Sequence, residues 1–277
     1  MKKIAAAFLL SVLMAFPCLA QVQFGVPKKM YNTILKITPF VDYYPLGRVN
    51  LDGHYEGVFD TFLSEFETFA EFASEVFYED DYVNSIRRGA KGKSDIILGM
   101  YSDTSLYEDL KFIYPAAIDN PVHLIMMPSR IGEIKKVSDL KNLKGAIDSR
   151  DRLSEFVERQ IKDFNLEKID NSYDLYGKLI RGEIDYIFAS YWFGMSEMMK
   201  LGVRDMVSIS KKSLWNMPVF IGISKVSDER EFLAHNLTQW LSRDEVREKI
   251  KNRAKEILKE IEEQTRGTVP PSYSLNN

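Results

Sequence analysis

Few polar side chains in this 277-residue chain stand at spacings that catalysis requires. His54, His123 and His235 are widely separated and share no ligand spacing, so they form no metal set. Arg87-Arg88-Gly89-Ala90-Lys91-Gly92-Lys93-Ser94 imitates a phosphate-binding loop, but its first position is Arg87 rather than Gly. The predicted order around it, helix then loop then strand, is also the reverse of the phosphate-binding order. Gly194-Met195-Ser196-Glu197-Met198 lacks the closing Gly of a nucleophile elbow. Carboxylates are plentiful, yet the sequence pairs no two of them in a site. The residues suited to meeting a small molecule are of another kind. Asp42-Tyr43-Tyr44, Tyr101-Ser102-Asp103-Thr104 with Tyr107, Arg150 and Arg152, and Ser190 with Trp192 all fall on predicted loops. Tyr43, Tyr44, Tyr101, Tyr107, Tyr191, Trp192 and Phe193 supply aromatic walls, which stack on planar or ring-shaped solutes. The guanidinium of Arg150 or Arg152 suits an anion, and the carboxylates of Asp42 and Asp103 suit a cationic group. Core packing of the rings, a solvated charge pair at the arginines and turn capping by the aspartates are the competing roles.

The elements that must position these residues repeat. Arg88-Gly89 is followed by Asp95-Ile96-Ile97-Leu98, and Arg181-Gly182 by Asp185-Tyr186-Ile187-Phe188. Each copy reads as a helix end, a Gly-containing turn, an Asp and a strand buried on both faces. Two α/β lobes on one plan would set these strand ends across a cleft, where open α/β sheets bind ligands. Ile34 to Phe40 reads as a strand, and the Asp52-Gly53 pair between short flanks reads as a hairpin turn. Gly57 opens a predicted helix whose apolar stripe runs through Phe59, Phe62, Phe66, Phe69, Ala70, Ala73 and Phe77. Ser138 is the expected cap of a later helix, and Leu153 to Phe164 a further helix. Val219 to Ile223 reads as a returning strand. One long helix is expected from Asp228 to Gln264, with Val246, Ile250, Ala254, Ile257, Leu258 and Ile261 on its inner face.

Compartment is read from the N-terminus. Lys2-Lys3, the apolar run Ile4 to Phe16 and Pro17-Cys18-Leu19-Ala20 form the three regions of a signal peptide, with cleavage after Ala20. The run is shorter than the roughly 20 residues of a membrane span. Phe16 and Pro17 before Cys18 fit a lipid-attachment site poorly, so Cys18 leaves with the leader and the mature chain has no cysteine. A soluble, monomeric protein of a Gram-negative periplasm is the expectation. With 37 basic against 40 acidic residues and no basic patch interleaved with aromatics, nucleic acid is not an expected partner.

The series Tyr-Pro loop, Asp-Gly turn, Gly57-initiated helix, Gly92-Lys93-Ser94-Asp95 strand and Phe112-Ile113-Tyr114-Pro115 resembles the amino-acid-binding type (family 3) of extracellular solute-binding proteins. Val137-Ser138-Asp139-Leu140, Leu143-Lys144-Gly145 and Leu179-Ile180-Arg181-Gly182-Glu183-Ile184-Asp185 continue the resemblance over nearly the whole mature chain. It implies the type II periplasmic-binding fold: two Rossmann-like α/β lobes joined by two hinge strands and closing on a solute. Lobe 1 would be 22–121 plus 217–277 and lobe 2 would be 122–216, with crossings near Asn120-Pro121 and Trp215-Asn216. The implied partner is an ABC-type permease in the inner membrane, and no cofactor or catalysis is implied. A ligand-sensing partner of a membrane receptor and a small enzyme on the same fold are the alternatives. The sequence departs from the family at its ligand clamp. No Arg lies between Arg88 and Arg130 to hold a ligand carboxylate; the matching position is Leu106, or Tyr107 with a one-residue shift. The acidic position of lobe 2 is occupied by Ser190. Both halves of a zwitterion clamp are missing there, so an ordinary free α-amino acid is not the expected ligand.

Overall fold

A computed structural model describes residues 33–40, 42–79, 81–102, 108–132, 134 and 136–266. The expected leader, and Asp103, Thr104 and Tyr107 among the expected site residues, lie outside the described residues. Among those described, no helix is long and apolar enough to cross a membrane.

The chain begins with β1 (Ile34–Thr38), the hairpin of β2 (Arg48–Val49) and β3 (Tyr55–Glu56), and α1 (Val58–Ala70). β4 (Ala73–Val76), α2 (Tyr82–Ala90), β5 (Ile96–Met100) and β6 (Leu110–Asp119) follow. Next come β7 (Val122–Met126), β8 (Gly145–Asp148), α3 (Glu155–Ile161), β9 (Leu166–Ile169) and α4 (Ser172–Ile180). Then β10 (Tyr186–Ser190), α5 (Tyr191–Lys200) and β11 (Ser208–Ile209) lead to β12 (Pro218–Ser224), α6 (Arg230–Leu241) and α7 (Asp244–Thr265).

Two five-stranded sheets result, ordered β4-β1-β5-β12-β6 and β11-β7-β10-β8-β9. Each has three parallel strands, completed by antiparallel ones. The chain passes between the sheets twice, and the two crossings pair with each other. Asn120 N–H donates to the Met217 carbonyl at 3.0 Å and Val122 N–H to the Trp215 carbonyl at 2.8 Å. This is the two-lobed type II periplasmic-binding fold that the resemblance implied.

The repeated aspartates explain the echo between the halves. Asp95 accepts the Lys36 N–H on its carboxylate at 2.8 Å and returns its own N–H to the Lys36 carbonyl at 2.7 Å. Asp185 does the same with Lys144, both bonds at 2.7 Å. Each aspartate therefore ties the start of a central strand to its parallel neighbour. The structure also moves the register of the echo. Gly89 lies inside α2, and the left-handed turn glycines are Gly92 (φ 69°) and Gly182 (φ 74°). The true repeat is Gly92-Lys93-Ser94-Asp95 against Gly182-Glu183-Ile184-Asp185.

Three helix expectations change. α1 ends at Ala70, where Glu71 turns left-handed (φ 56°) and its N–H caps the Glu67 carbonyl. Ala73 then joins β4, and Phe77 N–H bonds the Ile37 carbonyl at 2.8 Å. The apolar stripe continued by coincidence across that break, because pairing with β1 outweighs helix periodicity over so short a run. Val137–Asn142 is a 3₁₀ turn whose first free N–H, that of Lys136, is met by Asp139 rather than by Ser138. The long C-terminal helix breaks at Ser242-Arg243 into α6 and α7. The break lets Trp240 pack edge-on against Phe62, with ring centroids 4.9 Å apart. It also redirects α7, which packs on α1 of the first half and α5 of the second. Lys249 reaches Glu65 at 2.6 Å, and Glu262 reaches Arg204 at 2.5 Å.

Candidate functional site

The site forms where the ends of four elements meet the first crossing. Tyr43 comes from the loop between β1 and the hairpin, Tyr101 follows β5, Asp151 lies between β8 and α3, and Ser190 ends β10. All are buried, as is Asn120 of the crossing strand. The Tyr43 hydroxyl donates to Asp151 at 2.6 Å, lies against the Ser190 hydroxyl oxygen and accepts from Asn120 Nδ2 at 3.1 Å. Ser190 donates its N–H to one Asp151 oxygen and its hydroxyl to the other, each at 2.7 Å. Tyr101 donates to the Arg152 carbonyl at 2.9 Å and accepts from Asn120 Nδ2 at 3.2 Å. Residues far apart in the chain, from both sheets, thus share one hydrogen-bonded knot.

Its charge is unbalanced. The Asp151 partners are neutral donors, and burial pushes its carboxyl from an ordinary 3.8 up to about 6, against the lowering effect of Tyr43 and Ser190. Burial, then the nearby Asp151 charge, raises the Tyr43 phenol well above its usual value. The rings of Tyr43 and Phe193 stack at 5.5 Å, and Phe40 packs edge-on to Tyr43 at 4.8 Å. The buried Nε of Arg152 has no hydrogen-bond partner among the described residues.

Of the expected site residues, Tyr43, Tyr101 and Ser190 come together here, and Arg152 joins through its backbone carbonyl rather than its guanidinium. Arg150 does not. Its guanidinium grips Asp148 through Nε at 2.9 Å and through the terminal nitrogen at 2.7 Å, and that nitrogen also donates to the Ser172 hydroxyl and, at 3.1 Å, to Glu197. Asp148 and Glu197 are buried acids, and Arg150 neutralises them instead of waiting for an anion. Its hydrogen bonds and charge hold the Asp148 carboxyl below the usual range against the effect of burial, and Lys200 does the same for Glu197. Tyr44 turns away to receive the Arg48 guanidinium over its ring at 4.0 Å. Asp42 is exposed in a left-handed turn (φ 53°), and Ser102 is exposed. Trp192 packs against the crossing, with its indole N–H on the Asp119 carbonyl at 2.7 Å and its backbone N–H on Asn120 Oδ1 at 3.3 Å.

Asp151 and Asn120 are the residues sequence reasoning missed. Asp151 sits between two arginines, and its neighbours drew the reading toward anions. Asn120 carried a usable signal: a lone amide between two apolar strands must find partners once buried.

No family model matches the sequence, and no curated protein matches it. Solved structures do match in fold. The putative binding component of an ABC transporter from Wolinella succinogenes, complexed with lysine, superposes with a TM-score of 0.64 at 18% identity, over 79% of this chain and 94% of that one. The periplasmic VFT2 domain of Bordetella pertussis BvgS gives 0.61 at 13%, over 79% and 93%. The ancestral amino-acid-binding protein AncCDT-1, described as a precursor of cyclohexadienyl dehydratase, gives 0.59 at 17%, over 79% and 94%. At these identities the shared property is the fold.

Proposed function

We propose that this chain is an exported two-lobed receptor that holds one small polar or aromatic solute between its lobes and delivers it to an ABC-type permease. The lobes are 22–121 with 217–277, and 122–216; Met1 to Ala20 is removed on export to the periplasm. The receptor works as a monomer and without catalysis. The observation that carries the reading is Asp151, a buried carboxylate with neutral partners at the junction of both sheets. Every group on its oxygens is a donor, so the solute presents a donor there in turn: a hydroxyl, an amide or an ammonium. Tyr43, Tyr101, Ser190, Asn120 and Arg152 complete the contacts, and the Tyr43 and Phe193 rings form an apolar wall. Closure gains from contacts that exist only when both lobes touch the solute. A sensing role at a membrane receptor is the second reading, favoured by the likeness to the BvgS domain. Mass spectrometry of solute released from the purified protein, backed by a thermal-shift panel, tests the proposal. A compound carrying such a donor supports it. Tight binding of glutamine or arginine would overturn the missing-clamp argument, and turnover of the compound would point to an enzyme.

A further inference from the structure

A groove of about 920 Å³ lies at the hinge, yet not at the Asp151 knot. Alternation along the crossings fixes its side, because successive side chains of extended backbone point to opposite faces. Asn120 turns toward Tyr43 and Tyr101, whereas Asp119 and Pro121 on either side of it line the groove. Met217 turns its sulfur to the Ser154 N–H at 3.3 Å, whereas Asn216 and Pro218 line the groove. The groove is therefore the back of the hinge.

Its walls come from both halves of the chain. Tyr114, 60% exposed, leans on Phe220 with ring centroids 5.0 Å apart. Facing it, Tyr191 and Trp192 meet edge to face at 4.9 Å, with His123 at 5.6 Å from Tyr191. The third wall is the start of α7. Most of its polar groups are already engaged. Asp119 accepts from Asn216 at 2.7 Å, and Arg247 is held by the Leu241 carbonyl and Asp244. Glu248 lies 3.9 Å from Lys251, an open pair that water screens, and Lys255 among the described residues meets the Asn252 amide oxygen at 3.3 Å. Lys251 and Lys255 stand one helical turn apart, where like charges repel and an anion between them relieves the repulsion. An added strand is a poor occupant. The pairing of β6 with β12 breaks between Ile113 and Ile118, and Pro115 has no N–H to offer. The volume instead suits a compact ligand with an apolar body.

We propose that this groove is a second ligand site, for a small aromatic carboxylate. The ring lies between Tyr114 and the Tyr191–Trp192 pair, and the carboxylate lies on Lys251 and Lys255. Because the groove lies behind the hinge, rotation that opens the front cleft narrows it. A ligand lodged there holds the lobes closed, whatever solute the front takes.

The test is calorimetric titration of the mature protein with 2-naphthoate and its neutral isostere 2-naphthamide. Saturable naphthoate binding is expected, at least tenfold tighter than the amide. It should weaken at least tenfold in the Lys251→Gln/Lys255→Gln double variant and in Tyr114→Ser. These surface positions leave the core intact, which a thermal melt verifies. No saturable binding at millimolar naphthoate would overturn the proposal. So would affinity unaffected by the lysine substitutions.

Discussion

At the residue scale, Asp151 and Arg150 show how one short loop carries two unlike jobs. Asp151 is buried with neutral partners among the described residues, and burial raises its carboxyl from 3.8 to about 6 in the folded chain. The native state therefore holds its proton where the unfolded state has lost it. Asp151's contribution to stability is fully present below pH 3.8 and is lost as pH rises toward about 6. The loss by neutral pH is on the order of 3 kcal/mol. The difference in unfolding free energy between the native chain and Asp151→Asn should shift in favour of the native chain as pH falls from 8 to 5. A pH-independent difference would refute this account of Asp151. Arg150 predicts the opposite sort of effect. Arg150→Ala leaves Asp148 and Glu197 buried without their guanidinium and should lower stability by about 2 kcal/mol, discounted for its partial exposure. Urea unfolding checks this, and an unchanged midpoint would mean that Arg150 is free for a solute after all. The sequence named Arg150 and Arg152 with equal weight. It could not separate them, because which guanidinium meets a buried acid depends on Ser172 and Glu197, both distant in the chain.

At the element scale, the sequence was most informative where a local rule acts alone. The strands with continuous apolar runs, β5, β10 and β12, and the hairpin at Asp52-Gly53 formed as periodicity and turn chemistry predict. Boundaries set by tertiary pairing did not follow. Ala73 left its helix for β4 because β1 offered a parallel partner, and the tail broke at Ser242 so that Trp240 and α7 meet different neighbours. The repeated aspartates lie between these cases: the sequence marked them, and only the fold gave their job. Asp95→Ala removes bonds to the Lys36 N–H and, at 2.6 Å, to the Ser227 hydroxyl, and should cost about 2 kcal/mol by chemical denaturation. Asp185→Ala, which loses the Lys144 N–H and Arg130, should cost a similar amount. If either variant unfolds at the native midpoint, its strand tie is dispensable. Gly182 tests the corrected register. A Cβ there meets open space, so Gly182→Ala should cost about 1 kcal/mol from its left-handed backbone alone. Alanine at Gly89, inside α2 against Ile97, should instead act through a steric clash.

At the scale of the whole molecule, the paired crossings, the knot around Asp151 and α7 laid across α1 and α5 all link the two sheets. The crossings and α7 hold the lobes together regardless of what lies in the cleft. In the proposed receptor the knot is the link that a solute would share, because it joins Tyr43 and Tyr101 of the first half to Asp151, Arg152 and Ser190 of the second. Closure is therefore expected to depend on these few polar contacts, and a bound solute should raise stability by roughly 2.7 kcal/mol at a hundredfold excess over its dissociation constant. The most direct test is native mass spectrometry of the protein prepared from the periplasm, alongside the Tyr43→Phe/Asp151→Ala variant prepared in the same way. A single small donor-bearing solute, bound one to one by the native chain and missing from the variant, is the predicted result. A native chain that binds no solute, or a variant that retains it equally well, would contradict the account.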